Sequence, residues 1–110
     1  MIKKFHIRMP LSLKDSFDLL YKSGKDIMSW QIMDSDFEHG VILWKQTFWS
    51  LTGKAGIMAK LAKINEKETS VEIEVHKPLQ IFDPAKICEK VFRKLDRAWK
   101  KNLNNYENHE

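Results

Sequence analysis

A chain of 110 residues suits one domain with a single core, and 43% hydrophobic with 31% charged residues marks a globular sequence, not a disordered one. No segment approaches the roughly 20 consecutive apolar residues that cross a bilayer, and the opening Met-Ile-Lys-Lys-Phe-His has no apolar leader core, so a cytoplasmic location is the default expectation. The net charge of +4 is concentrated between Pro84 and Lys101, where seven Lys and Arg residues meet only Glu89 and Asp96, so a whole-domain nucleic-acid footprint is not indicated.

Lys3 to Met9 alternates, with Phe5, Ile7 and Met9 on one face and Lys4, His6 and Arg8 on the other, as in a half-buried strand. Pro10 ends it. Ser12 with Asp15 three residues on predicts the N-terminus of a helix carrying Leu13, Phe17, Leu20 and Tyr21, with Gly24 as its stop. A second strand is expected from about Ile27 to Met33, then a polar turn over Asp34 to Gly40. The third strand, Val41 to Trp49, is apolar on both sides, which points to a central position. Lys54 to Ile64 follows, with Ala55, Ile57, Ala59 and Leu61 on one face and Lys54, Gly56, Met58 and Lys60 on the other. After a polar connection at Asn65 to Glu68, Thr69 to His76 alternates Val71, Ile73 and Val75 against Ser70, Glu72, Glu74 and His76.

Asp83-Pro84 predicts a cap and first turn for a helix with Ile87, Cys88, Val91, Phe92, Leu95, Ala98, Trp99 and Leu103 in one stripe. Residues 104–110 lack the stripe and are expected to fray, leaving a single α+β domain over 1–103. Strand, helix, four strands and helix predict an antiparallel meander with both helices on one face. The first strand beside the fifth would set Lys4, His6 and Arg8 next to Glu72 and Glu74 on the open face. In the third strand, either Trp44 and Phe48 or Leu43 and Trp49 must then face away from the helices.

This order resembles the single-repeat TATA-binding-protein-like arrangement, which is also the scaffold of the START and pollen-allergen superfamily (SRPBCC). Locally, Trp30-Gln31-Ile32 and Asp36-Phe37-Glu38-His39-Gly40-Val41-Ile42 resemble a W-x-I, D-x-x-x-G-x-I hairpin of small bacterial domains with this layout. The resemblance implies an apolar ligand between sheet and last helix. The START insertion after the first helix is missing, since Ser23-Gly24-Lys25-Asp26 leads straight to the second strand. The many aromatic and methionine side chains have the bulk to fill that space.

Two candidate sites follow. A ligand groove under the last helix would be lined by Ile57, Leu61, Val71, Ile73, Phe92, Leu95 and Trp99. An interaction surface for a ligand or a second copy of the chain would use Trp44, Phe48, Trp49 and Met58, whose competing role is core. Asp34, Asp36, Glu38 and His39 share a turn whose spacing is not that of a calcium loop, so no metal is expected. His6 and His76 would approach each other if the outer strands pair. Cys88 lies on the helix stripe and reads as a small buried hydrophobe; with no partner cysteine it forms no internal disulfide. No nucleophile elbow or phosphate loop is present, so no catalytic residue is assigned and no cofactor is expected. The leading expectation is non-enzymatic binding of a small apolar ligand or a protein partner, with a homodimer through the open face as one form. The alternatives are a cyclase-like or hydrolase-like enzyme on a START-like cavity, and nucleic-acid binding by the basic helix, against which Glu72 and Glu74 on the sheet argue.

Overall fold

The computed structural model describes residues 1–47, 53–78 and 84–108. The alternating segments form strands and the segments with three- and four-residue spacing form helices, in the order β1 (Ile2–Met9), α1 (Leu13–Lys25), β2 (Trp30–Asp36), β3 (Val41–Gln46), β4 (Ala55–Asn65), β5 (Glu68–His76) and α2 (Pro84–Asn108). One five-stranded antiparallel sheet has the order β1-β5-β4-β3-β2, so the meander from β2 to β5 is present and β1 joins its far edge.

Register explains the two faces. Phe5 opposes Ile73, Ile7 opposes Val71 and Ile57 opposes both Val75 and Trp44, which gathers the apolar residues on the side covered by the helices. There they meet Phe17 and Leu20 of α1 and Cys88, Val91, Leu95 and Trp99 of α2 in one core. On the other side Lys4 opposes Glu74 and His6 opposes Glu72. The Lys4 ammonium lies 3.5 Å from each of the Glu72 and Glu74 carboxylates, and Lys60 lies 3.7 Å from Glu74, so the expected cross-strand charge match is realised. Arg8 departs from it: it stands opposite Ser70 and pairs with Glu68 instead.

Ser12 caps α1 as expected, its hydroxyl oxygen accepting from the Asp15 amide at 3.2 Å. Gly24 is not the stop. It is buried inside the last turn of α1, because the Trp44 indole lies against it where a β-carbon would be, and Asp26 closes the helix in ordinary right-handed geometry. Residues 26–29 are used by that closing turn, with Ile27 N–H donating to Gly24 O and Trp30 N–H to Ile27 O, so β2 starts at Trp30, not at Ile27. It then runs on through Asp36, past a bulge between Ile32 and Asp34, and the turn shrinks to residues 37–40. Gly40 has φ +65°, and its carbonyl accepts from the Leu61 amide at 2.7 Å, an approach with no room for a side chain.

The C-terminal helix continues to Asn108, beyond the expected end at Leu103. Polar contacts to α1 hold the extension: Asn102 donates to Ser23 and Asp26 at 3.0 Å each, and the Tyr106 hydroxyl reaches Asp15 at 3.5 Å. Asp83, the expected cap, lies outside the described residues.

Candidate ligand site

The seven residues expected to line a groove under α2 do come together, but as packed interior. Val71, Ile73 and Leu95 have no exposed surface, Ile57 has 1%, and Leu61 and Trp99 are buried with them. Phe92 is half-buried and stacks on Phe5 with ring centroids 4.3 Å apart and planes 3° from parallel. None of the seven lines any of the three cavities discussed below. Among the described residues these side chains pack against one another in the core. The passage from α1 to β2 takes only residues 26–29, with no inserted element to hold the helices off the sheet.

The expected interaction surface is also redistributed. Trp44 opposes Ile57 on the helix side, is 2% exposed, and packs on Trp30 with centroids 5.5 Å apart. Its Nε1–H is buried without a hydrogen-bond partner among the described residues. Leu43 faces away from the helices with Val41 and Lys45 of the same strand, opposite half-buried Met58. Phe48 and Trp49 lie outside the described residues.

The largest of the three cavities, about 700 Å³, sits at the end of the sheet and is lined by Lys45, Gln46, Thr47, Lys54, Ala55, Gly56, His76, Lys77 and Pro78. Register places it. Lys45 opposes Gly56 and Gly56 opposes His76, one row straight across three strands on the face away from the helices. Thr47, Lys54 and Pro78 continue the same alternation past the strand ends, and no residue of α1 or α2 is in the lining. Gly56 is the floor. Without a side chain between Lys45 and His76 the sheet backbone itself is accessible, and a β-carbon there would meet only His76 Cβ at 3.8 Å. The rim carries the Lys45 and Lys54 ammoniums and the His76 imidazole.

Behind this row, the alternate residues anchor the strand ends. Gln46, 2% exposed, accepts from Trp30 Nε1 at 3.0 Å and Lys94 Nζ at 2.8 Å, and donates to the Gly53 carbonyl at 2.6 Å. Lys77, 6% exposed, donates to the Lys54 carbonyl at 2.5 Å, while its own amide and carbonyl bond to Met1. Burial pushes the pKa of both Lys77 and Lys94 down and that of the Cys88 thiol up. His76 Nε2 is 3.8 Å from the Glu74 carboxylate, which is 7% exposed and shared with Lys4 and Lys60. His6 is not beside His76: it stands opposite Glu72, and Ile2 takes the place opposite His76.

The remaining sequence candidates are local structures. Asp36, Glu38 and His39 bring their ligand atoms within 4.8 Å of one another, but His39 is bound to Asp36 through its ring at 2.6 Å and its amide at 3.2 Å, a hydrogen-bonded turn. Beside it a small cavity of about 280 Å³ lies along Phe37. Cys88 is fully buried. On the outer face of α2, Arg93 pairs with Glu89 at 2.7 Å and Lys100 with Asp96 at 2.8 Å.

The sequence matches no family model, and no curated protein matches it. Solved structures do match in shape. The di-domain aromatase/cyclase BexL of the BE-7585A biosynthetic pathway superposes with a TM-score of 0.69 at 9% identity, over 94% of this chain and 46% of that one, so the chain spans about half of it. The protein XoxI from Bacillus cereus gives 0.64 at 7% identity, over 96% and 97% of the two chains. A START superfamily protein from Mycobacterium smegmatis gives 0.61 at 7% identity, over 96% and 98%. At these identities the likeness is one of fold: the chain has a small START-like scaffold, as the element order predicted.

Proposed function

We propose that the protein binds, without converting it, a small molecule with an apolar body and an anionic head, held in the depression on the open face of the sheet. The observation that carries this reading is the row Lys45–Gly56–His76: bare backbone as a floor for an apolar body, with the Lys45 ammonium at one end, the His76 imidazole N–H at the other and Lys54 at the lip. An ammonium bonded to a carboxylate contributes about 1.5–3 kcal/mol, enough to choose an acid over the matching alcohol. The START-like scaffold supports small-molecule binding in general; the close packing of the described residues beneath α2 favours this face over the side under the helix.

Calorimetry with sodium decanoate and with 1-decanol tests it. Decanoate is expected to bind saturably and more tightly than decanol. Gly56→Leu, whose β-carbon is accommodated but whose side chain occupies the depression, is expected to weaken decanoate at least tenfold with an unchanged circular dichroism spectrum. Equal affinity of wild type and Gly56→Leu would sink the proposal.

A further inference from the structure

We infer that the depression on the open face has a direction: it takes an unbranched carboxylic acid with its head between Lys45 and Lys54 and its chain running across Gly56 and His76 to Ile2. Ile2 is then the residue that selects chain length. This direction rests on the depression being the ligand site and assigns the two ends of the ligand within it.

The head end follows from charge. Among the described residues the lining contains no Asp or Glu, and its lysines gather at the ends of β3 and β4: Lys45 opposite Gly56, Lys54 just before β4, and the Lys77 ammonium on the Lys54 carbonyl at 2.5 Å. A head at the other end would lie beside the Glu74 carboxylate, 3.8 Å from His76 Nε2, and would compete with it for that ring nitrogen. Like charges that close repel, so the lysine end is favoured. Met1 does not reverse the balance, because its ammonium is turned to the Lys77 carbonyl at 2.9 Å.

The chain end follows from register. Ile2 stands directly opposite His76, so the row Lys45–Gly56–His76 continues onto β1 on the face away from the helices. The other β1 residues on that face, Lys4, His6 and Arg8, are charged or polar, whereas Ile2 is apolar and 59% exposed. Hydrogen bonds of 2.9 Å in each direction between Met1 and Lys77 fix this end of β1 to the end of β5. From Lys45 to Ile2 the row crosses three strand spacings of about 4.8 Å, roughly 14 Å in all, which suits a chain of about ten carbons and not a short acid. A fully buried methylene tightens binding about fourfold, and one lying half-covered on an open sheet roughly twofold. The groove of about 520 Å³ between α1 and α2, lined in part by Asp15 and Asp18, repels an acid and serves as an internal control.

The test is calorimetry and chemical-shift mapping on the full chain with sodium hexanoate and sodium decanoate at neutral pH. Decanoate is expected to bind about tenfold more tightly than hexanoate. Hexanoate is expected to move the amides of Lys45 and Gly56 but not that of Ile2, and decanoate to move Ile2 as well. Ile2→Ser should lower the ratio of decanoate to hexanoate affinity by about threefold or more, and Lys45→Gln should weaken both acids by a similar factor. Hexanoate shifts centred on His76 and Ile2, decanoate shifts confined to the groove between the helices, or an unchanged ratio in Ile2→Ser would overturn the inference. Decanoate binding that is weakened by Gly56→Leu yet keeps its ratio in Ile2→Ser overturns the direction alone; equal affinity in Gly56→Leu and wild type overturns the ligand site with it.

Discussion

Gly24 is a position where backbone preference and packing oppose each other. Alanine in a helix is favoured over glycine by about 1 kcal/mol, yet here its methyl would enter the Trp44 indole. Displacing a side chain from a filled core costs about 1–3 kcal/mol, so packing is expected to win. Gly24→Ala should lower stability in urea by about 1 kcal/mol or more; a stabilised variant would mean that the indole shifts freely. At the hairpin, the hydrogen bond from His39 holds the Asp36 carboxyl below its ordinary 3.8. The unfolded chain therefore takes up that proton first as pH falls, and the contribution is present above about pH 4 and lost as pH drops through the depressed value. The urea midpoint of Asp36→Asn is expected to fall less than that of wild type between about pH 6 and pH 2. Parallel curves would show that this bond does not survive in solution. Residue identity alone announced the cap at Ser12 and the glycine at position 40. It misread Gly24, because the reason for that glycine lies on β3, twenty residues away in sequence.

At the scale of elements, periodicity was enough for all five strands and both helices, and it failed where polar bonds replace apolar spacing. Residues 104–108 have no stripe, but Asn102 and Tyr106 tie that end of α2 to α1, so the helix persists. The β2 start moved because the closing turn of α1 uses residues 26–29, a boundary set by hydrogen bonds and not by hydrophobic pattern. Helix α2 also carries the clearest test of what its inner face does. Leu95→Ala removes a fully buried side chain from between α2 and the sheet and is expected to cost about 2–5 kcal/mol in denaturant unfolding. At temperatures where the variant is folded, its decanoate affinity should equal that of wild type. A parallel loss of binding would put the ligand under the helix after all.

At the scale of the molecule, the proposed site lies on the face of the sheet opposite to the one that a START-like order implies. On the helix-covered side Trp44, Phe92 and Trp99 pack with the branched residues of β4 and β5, and the open side holds the largest cavity described. Which way Trp44 points follows from the pairing of β3 with β4, and the depression at Gly56 exists only once three strands are in register. Those are non-local facts. The sequence signal for them was slight: a glycine on the outward face of β4, between Lys54 and Met58 in the alternation. The two-sided apolarity of the third strand did mark the region, but not the side. The most direct measurement is therefore chemical-shift mapping of the wild-type protein titrated with decanoate. The largest saturable shifts are expected at the amides of Lys45, Gly56 and His76, with Ile73, Val91 and Leu95 unmoved. Shifts centred on Ile73, Val91 and Leu95 would contradict the account and return the ligand to the space beneath α2.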